Sequence, residues 1–152
     1  MAFKSILRIL LKLRVHKLAK RFRKFIPPAL IVWAKEGRVK KLVSVSELKP
    51  QYEKACKYLL RTVGENAIGD YLEFGVCHAT SINCMHQVLK QFNIKNMRLF
   101  GFDSFEGLPA VTKTDDGGLW HPGQFRSELR ETKYFLTKNG IDWKKTFLIK
   151  GW

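Results

Sequence analysis

Acidic residues are scarce in this chain: 13 Asp and Glu stand against 28 Lys and Arg in 152 residues, for a formal net charge of +15. Cysteine is scarcer still. Cys56, Cys77 and Cys84 are an odd number without the spacing of a disulfide framework, which excludes a stapled secreted fold and predicts reduced thiols in the cytoplasm. No run reaches the ~18 uncharged apolar residues of a membrane-spanning helix. Internal repeats and low-complexity linkers are absent, which excludes solenoids and tethered arrays. What is present is a hydrophobic share of 45%, enough for one ordinary globular core.

The charge is unevenly placed. Residues 1 to 41 hold 13 basic side chains and one acid, Glu36, whereas residues 42 to 152 hold 15 and 12. The chain therefore divides into a basic leader, 1–45, and a nearly balanced body, 46–152. In the leader, Phe3, Leu7, Leu10, Leu11, Leu18, Phe22 and Phe25 recur at helical spacing among nine Lys and Arg, up to a stop at Pro27-Pro28. That predicts an amphipathic helix over 3–26. Its apolar face suits packing on the body or on a second subunit. Its basic face suits adsorption to an anionic membrane surface, making the protein cytoplasmic or peripherally membrane-associated. Nucleic acid is the least favoured partner, because no base-stacking platform or groove-reading module accompanies the charge. An organelle presequence shares this composition.

The body reads as alternating helices and strands. Ser46 is expected to cap a helix with Pro50 in its first turn and Gly64 as its stop. A strand over Ile68–Val76 runs into Gly75, and Cys77 to Ser81 turn into a helix bearing Ile82, Met85, Val88, Leu89 and Phe92. A second strand spans Met97–Phe102, a helix Arg126–Asn139 and a third strand Thr146–Lys150. The pattern is α/β, with parallel strands joined by right-handed crossovers.

Two strand ends carry the chemistry. Glu73-x-Gly75 precedes a helix N-terminus that favours an anionic group, and Asp103 closes the neighbouring strand, where a carboxylate can accept from both hydroxyls of a ribose. The alternative for Asp103 is a simple strand-end cap. S-adenosylmethionine and a dinucleotide both suit two such loops. The first loop has Gly75 but not the three glycines at G-x-G-x-x-G spacing, which disfavours a pyrophosphate and leaves a nicotinamide-binding Rossmann protein third in order.

Glu73-Phe74-Gly75-Val76, Ser81, the run Gly101 to Pro109, Trp120-x-x-Gly123-x-Phe125 and Lys150-Gly151-Trp152 together resemble the macrocin O-methyltransferase (TylF-like) family. The resemblance runs from about Ser46 to Trp152. It implies a partial Rossmann-like methyltransferase fold, three parallel strands with flanking helices behind the basic amphipathic leader, and S-adenosylmethionine as cofactor. It implies that Glu73 and Gly75 shape the site for the methionine part, lined by Val76, Ala79 and Ser81. Asp103 would hold the ribose, Ser104 and Phe105 would border the adenosine, and Trp120 and Phe125 would lid the substrate side. The acceptor would be a small molecule or sugar oxygen. Ala79 stands where the family usually has glycine. The family's Mg2+ ligands and catalytic base are expected after the third strand and are not found here, so no catalytic residue is assigned. In the family's strand order the first strand lies in the middle, flanked by the second and the fourth; without the fourth, Tyr71-Leu72-Glu73-Phe74 is expected to be an exposed apolar edge. The expectation is therefore a truncated chain that is poorly soluble or dimeric and does not transfer methyl groups. The competing function is a non-catalytic binding or membrane-surface module working through the leader.

Other residues invite chemistry less strongly. Cys77, His78, Cys84 and His86 lie within ten positions but lack a second Cys/His pair, so core or surface roles are expected rather than zinc. His121 is expected to be a solvated loop histidine, and Asp115 and Asp116 ordinary turn residues.

Overall fold

A computed structural model describes residues 23, 25–35, 43–110 and 120–151. The chain divides into two compact units, Met1–Lys40 and Lys41–Trp152. The expected leader helix lies almost wholly outside the described residues. In the first unit, helix α1 (Pro28–Lys35) follows Pro27, whose carbonyl accepts from Leu30 N at 3.0 Å. Proline at the first helical position needs no donor there, so Pro28 can begin this helix. Among the described residues, no helix is long and apolar enough to cross a membrane.

The second unit begins with α2 (Val45–Thr62). Its N-cap is Ser44, not Ser46. Glu47 N donates to Ser44 Oγ at 3.2 Å, and Ser44 N donates back to Glu47 Oε2 at 2.9 Å. This reciprocal box satisfies two otherwise orphaned amides, which Ser46 cannot do. Pro50 accordingly falls in the second turn. The strands are shorter than their apolar runs: β1 is Tyr71–Phe74 and β2 is Leu99–Asp103, with α3 (Thr80–Gln91) between them. Helix α4 spans Leu129–Lys138, starting three residues late because Glu128 is extended and Ser127 Oγ bonds Thr132 Oγ1 at 3.0 Å. Strand β3 is Thr146–Lys150.

The sheet has order β1-β2-β3, all parallel, with Glu73 opposite Gly101 and Asp103 opposite Lys150. Both crossovers step the same way, so right-handedness puts α3 and α4 on one face. There Ile82, Val88, Leu99 and Leu136 are fully buried. Gly101 makes that packing possible. A Cβ on it would lie 2.6 Å from Ile82 Cδ1 and 2.7 Å from Val76 Cγ2. The other face carries stacked pairs Phe74–Phe102 and Phe100–Phe147, each with centroids 5.0 Å apart. On it Phe74 is 79% exposed and Leu72 55%. Among the described residues, β1 has no strand on its outer side.

Candidate functional site

The crevice lies where the three strands end. Beyond Phe74 the chain breaks from the sheet at Gly75, whose φ of +91° is costly for any residue with a Cβ. Gly75 N still donates to Phe102 O at 2.8 Å, so the turn leaves from a paired strand end. Cys77 and Ala79 also take positive φ, 48° and 54°, and fold the backbone into the start of α3. Cys77 N then points at the neighbouring strand and donates to Asp103 Oδ2 at 2.8 Å. Asp103 Oδ1 accepts from Phe105 N at 2.6 Å, and Asp103 O accepts from Gly151 N at 3.1 Å. One carboxylate thus ties the loop after β1 to the loop after β2, while its carbonyl holds the end of β3.

The cavity over this junction has a volume of about 620 Å³. Gly75, Cys77, Asp103 and Ser104 supply its polar floor, and Phe102, Phe125, Leu108 and Ile149 are among its apolar walls. Ser104 Oγ accepts from Glu106 N at 3.2 Å, a local turn that sets the loop's course. At Gly107 the chain meets the segment around Gly123. Leu108 N donates to Gln124 O at 2.9 Å and Gly123 N to Leu108 O at 2.8 Å. A Cβ on Gly107 would sit 2.6 Å from Gly123 O, so only glycine allows this approach. The clamp holds Phe125 in the cavity wall, with the Trp120 ring 5.5 Å from it. Lys150 Nζ donates to Glu106 Oε1 at 2.8 Å, an exposed pair that joins the end of β3 to the loop after β2.

The candidate residues separate into two groups. Gly75, Asp103 and Ser104 line the cavity. Glu73, Val76, Ala79, Ser81 and Phe105 do not. Val76, Ala79 and Phe105 are buried in the hydrophobic cluster, because the positive-φ turns at Ala79 and Phe105 swing their side chains inward. Glu73 lies on the helix-covered face and accepts from Ser81 Oγ and from Tyr71 OH, each at 2.7 Å, with Tyr52 OH 3.0 Å beyond Tyr71. Burial raises the Glu73 pKa above the ordinary carboxylate value, partly offset by those two donors, while the nearby Asp103 charge adds to the rise. Burial likewise drives the Tyr71 phenol far upward. These five residues form the backing of the wall rather than its surface. Cys77 and Leu108 were not among the candidates. Cys77 contributes its amide, which no side-chain motif announces.

The cysteines and histidines are not brought together. Cys77 is at the crevice, whereas His86 Nε2 lies 3.0 Å from Gly140 O beyond the far end of α3. Among the described residues no group of three or more His, Cys, Asp or Glu is placed to hold a metal ion. His121 is exposed, its amide bonded to Gln124 Oε1 at 3.0 Å, and Asp115 and Asp116 fall outside the described residues.

No curated protein sequence matches the chain. Solved structures of similar fold include the O-methyltransferase NovP, at TM-score 0.50 and 18% identity over 68% of this chain and 44% of that one. Another is the calicheamicin methyltransferase CalS11, at TM-score 0.53 and 18% identity over 97% of this chain and 56% of that one. The chain spans about half the length of these structures, and at such identity the likeness concerns the fold. The sequence comparison is more specific: residues 51–133 match the macrocin O-methyltransferase (TylF) family, and since they make up more than half of the chain, which includes both crevice loops, the chain belongs to that family.

Proposed function

We propose that the crevice binds S-adenosylmethionine and serves methyl transfer to an oxygen of a small-molecule acceptor. The observation that carries this reading is the Asp103 carboxylate, held by two backbone amides at the junction of the β1 and β2 loops. A carboxylate has about four acceptor positions. Two are used here, and the remainder suit the vicinal hydroxyls of a ribose. The fit extends to the glycine: a Cβ on Gly75 would meet nothing within 4 Å, so the backbone there borders open space that a ligand can enter. A volume of about 620 Å³ is ordinary for a cofactor cleft.

When bound, S-adenosylmethionine supplies an electrophilic methyl group. The chain's own part is to bind and orient. Asp103 fixes the ribose end, Gly75 and Cys77 form the backbone wall beside it, and Phe125 and Leu108 supply apolar wall. Orientation of this kind is a large share of what a methyl transfer needs. The residues described gather no Mg2+ site, so no step is assigned to a metal. Calorimetry with S-adenosylmethionine, S-adenosylhomocysteine and NAD tests the reading. Saturable heat with both adenosyl ligands and none with NAD is expected. Binding of NAD alone, or of none of the three, would overturn it.

A second reading concerns assembly, and the exposed apolar face of the sheet favours it. Parallel sheets are ordinarily covered on both sides. Here Leu72, Phe74, Phe147 and Ile149, 55%, 79%, 40% and 39% exposed, present roughly 450 Å² of surface beside β1, which among the described residues has no strand on its outer side; Phe74 and Ile149 also line the crevice, so a copy seated here would narrow its mouth. A second copy is the occupant we propose. A standard interface takes about 800 Å² from each partner, so this face alone supports weak, concentration-dependent dimers. Sedimentation should show dimers that Phe74→Ser shifts to monomer, and an unchanged distribution would exclude this face.

A further inference from the structure

Behind the crevice wall, four side chains that do not line the cavity are bonded to one another. Tyr71 OH donates to Glu73 Oε2 and Ser81 Oγ donates to Glu73 Oε1, each at 2.7 Å. Tyr52 OH lies 3.0 Å from Tyr71 OH, with the two rings edge to face at 6.0 Å. The single hydrogen of Tyr71 is committed to the carboxylate, so its oxygen is the acceptor and Tyr52 is the donor. The bonds therefore run in one direction, from Tyr52 to Tyr71 to Glu73, and Ser81 meets the same carboxylate from the other side.

This network ties three elements together. Tyr52 belongs to α2, Tyr71 and Glu73 to β1, and Ser81 to the first turn of α3. Between Glu73 and Ser81 runs the segment 74–80, which carries Gly75 and Cys77 in the crevice wall. Helix α3 has no side-chain cap, because its N-cap position is Ala79. Its first turn is tied to the strand instead by the Ser81–Glu73 bond, and hydroxyl bonds to a carboxylate are about twice as strong as neutral ones. Glu73 is itself fixed by the pairing of β1 with β2, opposite Gly101. Packing alone would be served as well by phenylalanine at 52 and 71 and an aliphatic residue at 73. Burying a carboxylate costs stability unless donors answer it, and here two donors converge on it beneath the crevice wall.

We infer that Tyr52, Tyr71 and Ser81 are positioning residues for the crevice: by holding Glu73 from two sides they set where α3 starts, and so where the Cys77 amide meets Asp103. The amide sits 2.8 Å from Asp103 Oδ2, and none of the three touches the ligand. The consequence for ligand affinity rests on the reading that the crevice binds S-adenosylmethionine. The consequence for the Cys77 amide does not.

Backbone amide exchange followed by NMR, with calorimetry of S-adenosylhomocysteine on the same samples, tests the inference. Tyr71→Phe removes the central hydroxyl and keeps the ring, which packs against the core. It should speed exchange at Cys77 about tenfold more than at Val88 and Leu89 in the body of α3, and weaken S-adenosylhomocysteine about tenfold. Tyr52→Phe, one bond further out, should change both in the same sense by about threefold. Glu73→Gln keeps an acceptor for Tyr71 and gives Ser81 a donor, so the Cys77 rate should stay near that of the parent. Glu73→Leu fills the space without either bond, and its Cys77 rate should rise as in Tyr71→Phe. Three results would each overturn the inference: an unchanged Cys77 rate in Tyr71→Phe, equal acceleration at Cys77, Val88 and Leu89, or equal Cys77 rates in Glu73→Gln and Glu73→Leu. A parent that binds no S-adenosylhomocysteine, with Cys77 rates that respond as stated, would uphold the positioning role and refute the cofactor reading.

Discussion

Replacing Asp103 separates its two jobs, holding the loops and binding the ribose. In the structure it accepts from Cys77 N at 2.8 Å and Phe105 N at 2.6 Å, and it is half-buried. Hydrogen bonds to a charged acceptor contribute about 1.5–3 kcal/mol each, and partial exposure favours the lower value. Asp103→Ala should therefore cost about 3 kcal/mol. With a urea slope of about 1.5 kcal/mol per molar, the midpoint falls by about 2 M. Asp103→Asn keeps one acceptor oxygen and turns its amide toward a backbone donor, so it should cost about half as much. Binding follows a different order. Both substitutions remove acceptors for the ribose, and the loss should be about tenfold in S-adenosylhomocysteine affinity for Asn and about a hundredfold for Ala. Urea denaturation followed by fluorescence, with calorimetry on the same samples, reads both. An Asp103→Ala midpoint equal to that of the parent would refute the loop-bridging argument. Full affinity in Asp103→Asn would refute the ribose contact and leave Asp103 a strand-end cap.

Further substitutions probe the supports of the crevice. Gly107→Ala places a methyl 2.6 Å from Gly123 O at a φ of +82°, and should cost about 1–3 kcal/mol and speed proteolytic cleavage near Phe125; unaltered cleavage would show that the clamp does not hold that segment. Gly101→Val drives a side chain into Ile82 and Val76 and should destabilise by about 1–3 kcal/mol in urea, an outcome contradicted by an unshifted midpoint. Glu73 has a raised folded pKa, chiefly from burial, so its stabilising contribution is full below the ordinary 4.5 and is lost as pH rises through the folded value. Relative to Glu73→Gln, the parent should lose stability as pH rises from about 4.5, and a gain over that range would reverse the assignment.

The alternation of elements was legible because each apolar run has one period, helical around Ile82 to Leu89 and continuous at Leu99 to Phe102. The parallel order followed from the crossovers. Boundaries were not legible where a side chain competes for a backbone amide. Ser44 and Ser46 look alike as letters, and only the reach of Glu47 back to Ser44 N decides between them. Ser127 similarly delays α4 by bonding Thr132. At Pro28 the sequence contains both a stop and a start, and proline's missing donor serves either.

The site was half legible, for a reason rooted in backbone geometry. Gly75 and Asp103 were readable because a strand-end glycine and a strand-end acid have few other uses in adjacent parallel strands. Which of their neighbours face the cavity depends on φ at Cys77, Ala79 and Phe105, three residues with side chains that nonetheless take positive values. Each such turn reverses the direction a side chain points, so a reading that lets the chain run on evenly places Ala79 and Phe105 on the cavity when they lie behind it. The same strain explains how the loops stay put. Left-handed conformations in residues with a Cβ persist only where surrounding bonds over-determine them. Here the Asp103 carboxylate bonds Cys77 and Phe105 directly, two of the three strained positions. The acid proposed to hold the ribose thus already holds the two loops that form its surroundings, and its geometry is set before any ligand arrives.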